Sequence, residues 1–269
     1  MIRDITIGQY YPKDSFIHKL DPRTKIIGTF VFIISLFLFR NKFLPYVVVI
    51  GFLGLVIGAS QVPIKHIVKG LKSIIFLMVF AIVFNVFLTS GEVLWQWGIL
   101  KITKEGLENA GFMALRLTLL IMGSSIMTFT TTPNHLTDGL EKIMNPLKRI
   151  KVPVHEISMM MSIALRFIPI LLEETDKIMK AQMARGADFE SGNLIKKAKS
   201  LVPLLVPLFV SAFRRANDLA MAMEARCYRG GEGRTKMKPL KYRKEDFISY
   251  LILVLYLVSL VVVKKVSPV

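Results

Sequence analysis

The feature that most restricts this chain is a series of apolar runs, Ile26 to Phe39, Phe43 to Ala59, Ile74 to Leu88, Ala110 to Phe129 and Phe247 to Val263, set between basic stretches. Each approaches the roughly 17–25 residues an α-helix needs to cross a bilayer. Hydrocarbon offers no water to backbone N–H and C=O groups, so such runs must be helical. The expectation is an all-α integral membrane protein with about five transmembrane helices. Composition agrees: 53% hydrophobic residues, 20% charged residues and a mean hydropathy of +0.51 do not fit an ordinary soluble domain. Asp21 and Pro22 read as N-cap and first helical position of the first span, with Lys25 and Arg40 flanking it and placed to snorkel.

The net charge of +17 would suit nucleic acid, but bilayer-length runs between the basic segments make it a matter of topology, and no nucleic-acid partner is expected. A cytoplasmic N-terminus puts Arg3, Lys13, Lys19, Arg23, Lys25, Lys65, Lys69 and Lys72 inside and leaves Arg40, Lys42, Lys101 and Lys104 outside, the asymmetry that the positive-inside rule prefers. The polar start of the chain does not read as a signal peptide. The expected organisation is then 1–131 with four transmembrane helices, 132–242 as a strongly basic cytoplasmic coupling domain, and 243–269 with the last transmembrane helix.

Three long amphipathic helices are predicted in that coupling domain. The first starts with Thr132 as N-cap and Pro133 at N1 and aligns Leu136, Leu140, Ile143, Leu147 and Ile150 on one face. The second runs from about Val154 past a bend at Pro169 to Gly186, with Glu173–Lys177 and Asp176–Lys180 as supporting pairs. The third runs from about Asn193, interrupted by Pro203 and Pro207, and ends before Cys227.

Both later helices finish on the same pattern, "AQMARGAD" and "AMEARCYRG". A cation in the last turn complements the helix dipole, and a following glycine is an ordinary C-cap. The repetition adds a second meaning. Ala181 and Ala184 precede Arg185, as Ala222 and Ala225 precede Arg226, clearing a smooth strip for a partner's backbone. A guanidinium keeps its charge when buried and offers a rigid fork of donors, so each arginine suits insertion into an acidic or carbonyl-lined groove.

Together, "HKLDPRTK", "TFTTTPNHLTDGLEKIMNPLKRI", "ALRFIPILLEE", "AQMARGAD" and "MEARCYRGG" resemble the transmembrane T component of energy-coupling factor (ECF) transporters, the ABC-type vitamin and metal uptake systems. The resemblance covers most of the chain. It implies a non-catalytic subunit, multi-pass in a prokaryotic plasma membrane, that transmits ATP-driven motion to a membrane-embedded substrate-binding S component. Its partners would be two ABC ATPase subunits, that S component and the lipid bilayer. The ATPases would hold ATP and Mg, with no cofactor in this chain. By the same resemblance Ala184, Arg185, Gly186, Ala225 and Arg226 would dock in the ATPase grooves. Cys227 stands where the family's simplest form has glycine; cysteine tolerates positive φ less well, so Gly230 is expected to supply the turn instead.

The residue chemistry fits such a part. No G-x-x-x-x-G-K-[ST] loop is present, the four histidines are scattered, Met159 stands where a zinc-protease motif needs its second histidine, and the single cysteine excludes an internal disulfide. Arg116, the one charge deep in a predicted span, is expected to pair with carbonyls or snorkel. Met159, Met160 and Met161 form a re-packable apolar surface suited to exchanging S components. Two rival readings are a self-sufficient channel or secondary transporter, in which Ile157–Leu172 and Leu201–Phe213 would cross the bilayer, and a membrane-embedded enzyme using Glu173, Glu174, Asp176 or Asp188.

Overall fold

The structure is a computed structural model and describes residues 10–38, 43–72, 74–97, 100–189, 199–231 and 239–266, with the isolated positions 193, 195, 233 and 237. Arg3, Phe39, Arg40 and Lys42, invoked in the topology and the first span, lie outside the described residues, as does much of the predicted start of the third coupling helix. The described residues divide into two units, one drawn from 8–143 and 240–266 and the other from 144–239.

In the first unit a short helix α1 (Phe16–Lys19) leads into α2 (Pro22–Phe37), α3 (Phe43–Ser60), α4 (Ile64–Lys72) and α5 (Ile75–Leu88). A hairpin of β1 (Val93–Trp97) and β2 (Leu100–Thr103), paired antiparallel, returns the chain to the long α6 (Lys104–Thr130), followed by α7 (Pro133–Met144) and, from the C-terminal part, the helix Lys244–Val266, here α10. The Asp21 carboxylate caps α2 from its expected place, accepting from Arg23 N at 2.9 Å, with Pro22 opening the helix. Thr132 likewise accepts from His135 N ahead of Pro133.

Leu36, Val49, Leu119 and Leu260, from α2, α3, α6 and α10, meet in a core where Phe52 stacks on Tyr256 at 4.1 Å and the Tyr256 hydroxyl shares a 2.7 Å hydrogen bond with Ser35. α6 approaches α2 so closely that a Cβ on Gly123 would collide with the Phe32 ring. Outside this core the large side chains face outward, Phe30 64%, Leu55 72% and Leu251 60% exposed, as expected where the solvent is hydrocarbon.

Among the described residues, four helices are long and apolar enough to cross a membrane: α3, α6, α10 and Val154–Ala184 of the second unit. α2 and α5, of 16 and 14 residues, are helices where spans are predicted but are shorter than the roughly 17 residues of the usual minimum.

One basic residue behaves differently from expectation. Lys25 does not snorkel: it is buried, and its ammonium donates to the carbonyls of Thr130 at 2.8 Å and His18 at 3.2 Å. These carbonyls at the ends of α6 and α1 are open to a side-chain donor because helix termini leave C=O groups without helical partners. Arg116 in α6 donates through Nε to the Tyr46 hydroxyl at 3.1 Å, and its guanidinium lies 5.8 Å from the Phe37 ring centre.

The second unit contains a 3-10 turn at Asn145–Ile150, α8 (Val154–Ala184) and the helix Val202–Ala225, here α9. The first predicted coupling helix thus stops being α-helical at Met144, because Pro146 cannot continue it. Leu147 and Ile150 fall on the 3-10 turn and are exposed. Pro203 sits in the first turn of α9, where a missing N–H costs nothing, so only Pro207 lies inside that helix.

Candidate functional site

α8 and α9 lie antiparallel. Ser211 Oγ and Arg215 Nη2 of α9 donate to the two carboxylate oxygens of Glu174 on α8, each at 2.6 Å, while Gln182 nearer the end of α8 reaches the Pro203 carbonyl at the start of α9. At the other end, Gly231 after α9 closes on the His155 ring at the start of α8. No local pattern announces the Glu174 clamp: by sequence Glu174 is one acid among several on a wet face.

The two Ala-Arg motifs end these helices in the same geometry. After α8, Arg185 is the C-cap at φ −88°, ψ 8°, Gly186 turns left-handed at φ +87°, and two hydrogen bonds close the turn: Gly186 N to the Met183 carbonyl and Ala187 N to the Gln182 carbonyl, both 3.0 Å. After α9, Arg226 is the C-cap at φ −94°, ψ 14°, Cys227 turns left-handed at φ +56°, and Cys227 N meets the Glu224 carbonyl at 2.8 Å as Tyr228 N meets that of Met223 at 3.0 Å. This is the Schellman arrangement twice over. Cys227, not Gly230, therefore makes the capping turn; Gly230 is left-handed too, at φ +92°, but three residues later. The two hydrogen bonds hold cysteine in a conformation that L-residues otherwise avoid.

Ala184, Arg185, Gly186, Ala225, Arg226 and Cys227 are all exposed. Each guanidinium is carried just beyond a rigid helix end. Because the helices are antiparallel and Met159 of α8 borders the same groove as Arg226, the arginines stand at opposite ends of the pair. The rise of α8 from Met159 to Arg185 separates them by about 40 Å.

The three methionines do not share one surface. Met159 is half-buried and lines, with Ile163, Leu219, Met223 and Arg226, a groove of about 480 Å³, whereas Met160 and Met161 are 58% and 38% exposed. Sequence reasoning grouped them by adjacency; helical geometry turns successive residues about 100° apart and sends Met159 toward α9.

The family model described as "Cobalt transport protein", CbiQ, matches residues 13–237. The chain is 56% identical to the energy-coupling factor transporter transmembrane protein EcfT of Ruminiclostridium cellulolyticum, over 99% of each chain. It is 58% identical to that of Clostridium kluyveri over 93% of each. To that of Bacillus subtilis it is 49% identical, over 91% of this chain and 93% of the relative.

Proposed function

The chain belongs to the CbiQ cobalt transport protein family and is the transmembrane component of an energy-coupling factor transporter, and we propose that its α8–α9 pair is a double-ended lever between two ATPase subunits and a substrate-binding S component. In this reading the subunit is non-catalytic and sits in a prokaryotic plasma membrane, ATP and Mg belong to the ATPases, and the segment 132–242 is cytoplasmic. One tip, Ala184, Arg185 and Gly186, docks in the groove of one ATPase; the other, Ala225 and Arg226, docks in the second. When the ATPases close on nucleotide their grooves approach, and a pair clamped at its middle converts that approach into a tilt. Of the three methionines, the exposed Met160 and Met161 offer the surface that receives the S component for micronutrient uptake, while Met159 faces the groove toward α9.

The observation that carries this reading is the duplicated cap. Two arginines projecting from identical turns at opposite ends of one antiparallel pair match two equivalent receptors, and a separation of about 40 Å leaves each its own subunit. Substituting Arg185→Glu or Arg226→Glu and measuring ATPase co-purification and vesicle uptake tests it. Each variant is expected to lose about 2 kcal/mol or more of docking energy; wild-type assembly and uptake for both would overturn it.

One observation favours a second reading: α8 has the length and apolarity of a membrane span. If α8 and α9 crossed the bilayer, as in a channel or secondary transporter, their antiparallel course would put the two tips on opposite faces. Against this, the uncharged stretch Val202–Phe213 of α9 rises only about 18 Å, well short of a ~30 Å hydrocarbon core. Single cysteines beside Arg185 and Arg226 in a Cys227→Ser background separate the two readings. Both positions labelled from the cytoplasmic side support the lever, and one labelled from each side refutes it.

A further inference from the structure

α5 is too short for the bilayer by itself. Its 14 residues rise about 21 Å, ~9 Å less than a typical hydrocarbon core. It cannot be extended along α6, because α6 opens on the charged residues Lys104, Glu105 and Glu108 and meets α5 a turn before its end: a Cβ on Gly106 would come within 2.9 Å of the Val86 carbonyl. A span with this shortfall draws on flanking residues to match the membrane.

The β1–β2 hairpin comes directly after α5 in the chain and is fastened to the helix ends. Thr103 Oγ1 donates to the Thr89 carbonyl at 2.8 Å, Lys104 N to the Glu92 carbonyl at 3.0 Å, and Glu92 N to Glu105 Oε2 at 2.8 Å. A register shift between Val93 and Trp95 breaks the alternation of the strand, and Val93, Leu94 and Trp95 are 49%, 59% and 58% exposed in succession. In the chain they follow the outward apolar residues of α5, where Phe84 is 48% and Leu88 71% exposed. In a soluble protein such a patch would be a liability; at the end of a short membrane helix it has an obvious solvent.

We propose that the β1–β2 hairpin is an interfacial membrane anchor. Val93, Leu94 and Trp95 lie at the boundary between headgroups and acyl chains, in the leaflet toward which α5 rises, and supply the apolar thickness that α5 lacks. The occupant is a lipid surface because the patch is fastened to the end of a short apolar helix and carries tryptophan, whose indole favours that boundary. The proposal rests on α5 crossing the bilayer, as expected of a transmembrane component.

Both tryptophans of the chain, Trp95 and Trp97, belong to β1, so intrinsic tryptophan fluorescence reports on this hairpin alone. The full-length Trp97→Phe protein is reconstituted in phosphatidylcholine vesicles containing phosphatidylcholine brominated at shallow or deep acyl positions. Trp95 emission is expected to be quenched, more by shallow than by deep bromines, and to resist aqueous iodide. Should the variant fail to fold, the unsubstituted chain answers the same question. Iodide quenching without lipid quenching would overturn the anchor in favour of a solvated hairpin; quenching by neither would overturn it in favour of a protein cover. A bimane on Phe80→Cys, in the Cys227→Ser background, monitors α5 separately. Lipid quenching there without quenching at Trp95 sinks the anchor alone, and failure at both sinks the crossing of α5 as well.

Discussion

Glu174 and Arg215, 41 residues apart, meet at 2.6 Å across the α8–α9 pair, and the second oxygen of the Glu174 carboxylate accepts the Ser211 hydroxyl at the same distance. Both side chains keep partial contact with solvent, so the pair contributes about 0.2–1 kcal/mol rather than the value of a fully buried ion pair. Its consequence is alignment. Glu174→Ala is expected to speed amide exchange in the middle of both helices while leaving the first unit unchanged. A cycle with Arg215→Ala is expected to show a coupling of about 0.5–1 kcal/mol in thermal unfolding. Independent, additive effects would show that the contact aligns nothing.

The duplicated cap makes opposite predictions at its two turns. Cys227→Gly removes a Cβ from a left-handed residue and is expected to stabilise the end of α9 by about 1 kcal/mol. Gly186→Ala adds a Cβ at φ +87°, where no neighbouring atom lies within 4 Å, so its cost of about 1 kcal/mol is conformational alone. Thermal unfolding of the two variants in detergent checks the signs; the same sign for both would contradict equivalent turns.

Arg185→Lys and Arg226→Lys separate charge from shape. Lysine keeps the cation but loses the rigid fork, so each variant is expected to retain the fold and to bind ATPase subunits about tenfold more weakly, a loss of about 1.4 kcal/mol. Titration of purified ATPase against each variant measures it. Full retention would reduce the arginines to dipole partners.

Asp246 fastens α10 to the start of α2. It is fully buried and accepts from Asp21 N and from Arg243 N, each at 2.8 Å, while Arg23 chelates Asp21 and lies 3.9 Å over the Tyr242 ring. Asp246→Ala strands two backbone donors and is expected to destabilise the first unit by about 1–3 kcal/mol, read as a lowered midpoint in thermal unfolding. An unchanged midpoint would mean that water replaces the carboxylate.

His18 makes the first unit sensitive to acid. Its Nε2 donates to the Tyr11 carbonyl at 2.9 Å, so in the neutral ring Nδ1 accepts from the Ser15 hydroxyl at 2.6 Å. Burial holds its pKa below the ordinary histidine value; the Tyr11 carbonyl pulls it back up, the Lys25 charge pushes it further down and Asp14 opposes that push. With the folded value depressed, the unfolded chain takes the proton first. The contribution of His18 is therefore intact above the unfolded value of about 6.5 and is lost as pH falls through the folded one. Stability measured downward from about pH 7.5, above the unfolded value, is expected to decline on the acid side, and His18→Asn to flatten that decline. An equal slope in the variant would assign it to other groups.

Several elements were legible in the chain because they depend on neighbours within a turn or two. The apolar runs set where α2, α3, α5, α6 and α10 form, Asp21–Pro22 and Thr132–Pro133 mark two helix starts, and the Ala-Arg repeats mark the ends of α8 and α9. Periodicity, caps and the missing N–H of proline account for all of these, and each acts locally. The features that the tertiary structure alone decided involve residues far apart in sequence. Lys25 turns inward because carbonyls of α1 and α6 converge on it, and Cys227 is held left-handed by the hydrogen bonds of its turn, against its own preference. The two arginines stand at opposite ends because α8 and α9 run antiparallel, a course that brings Glu174 against Arg215, 41 residues apart in the chain. A sequence specifies which groups want partners; only packing decides which partners they reach.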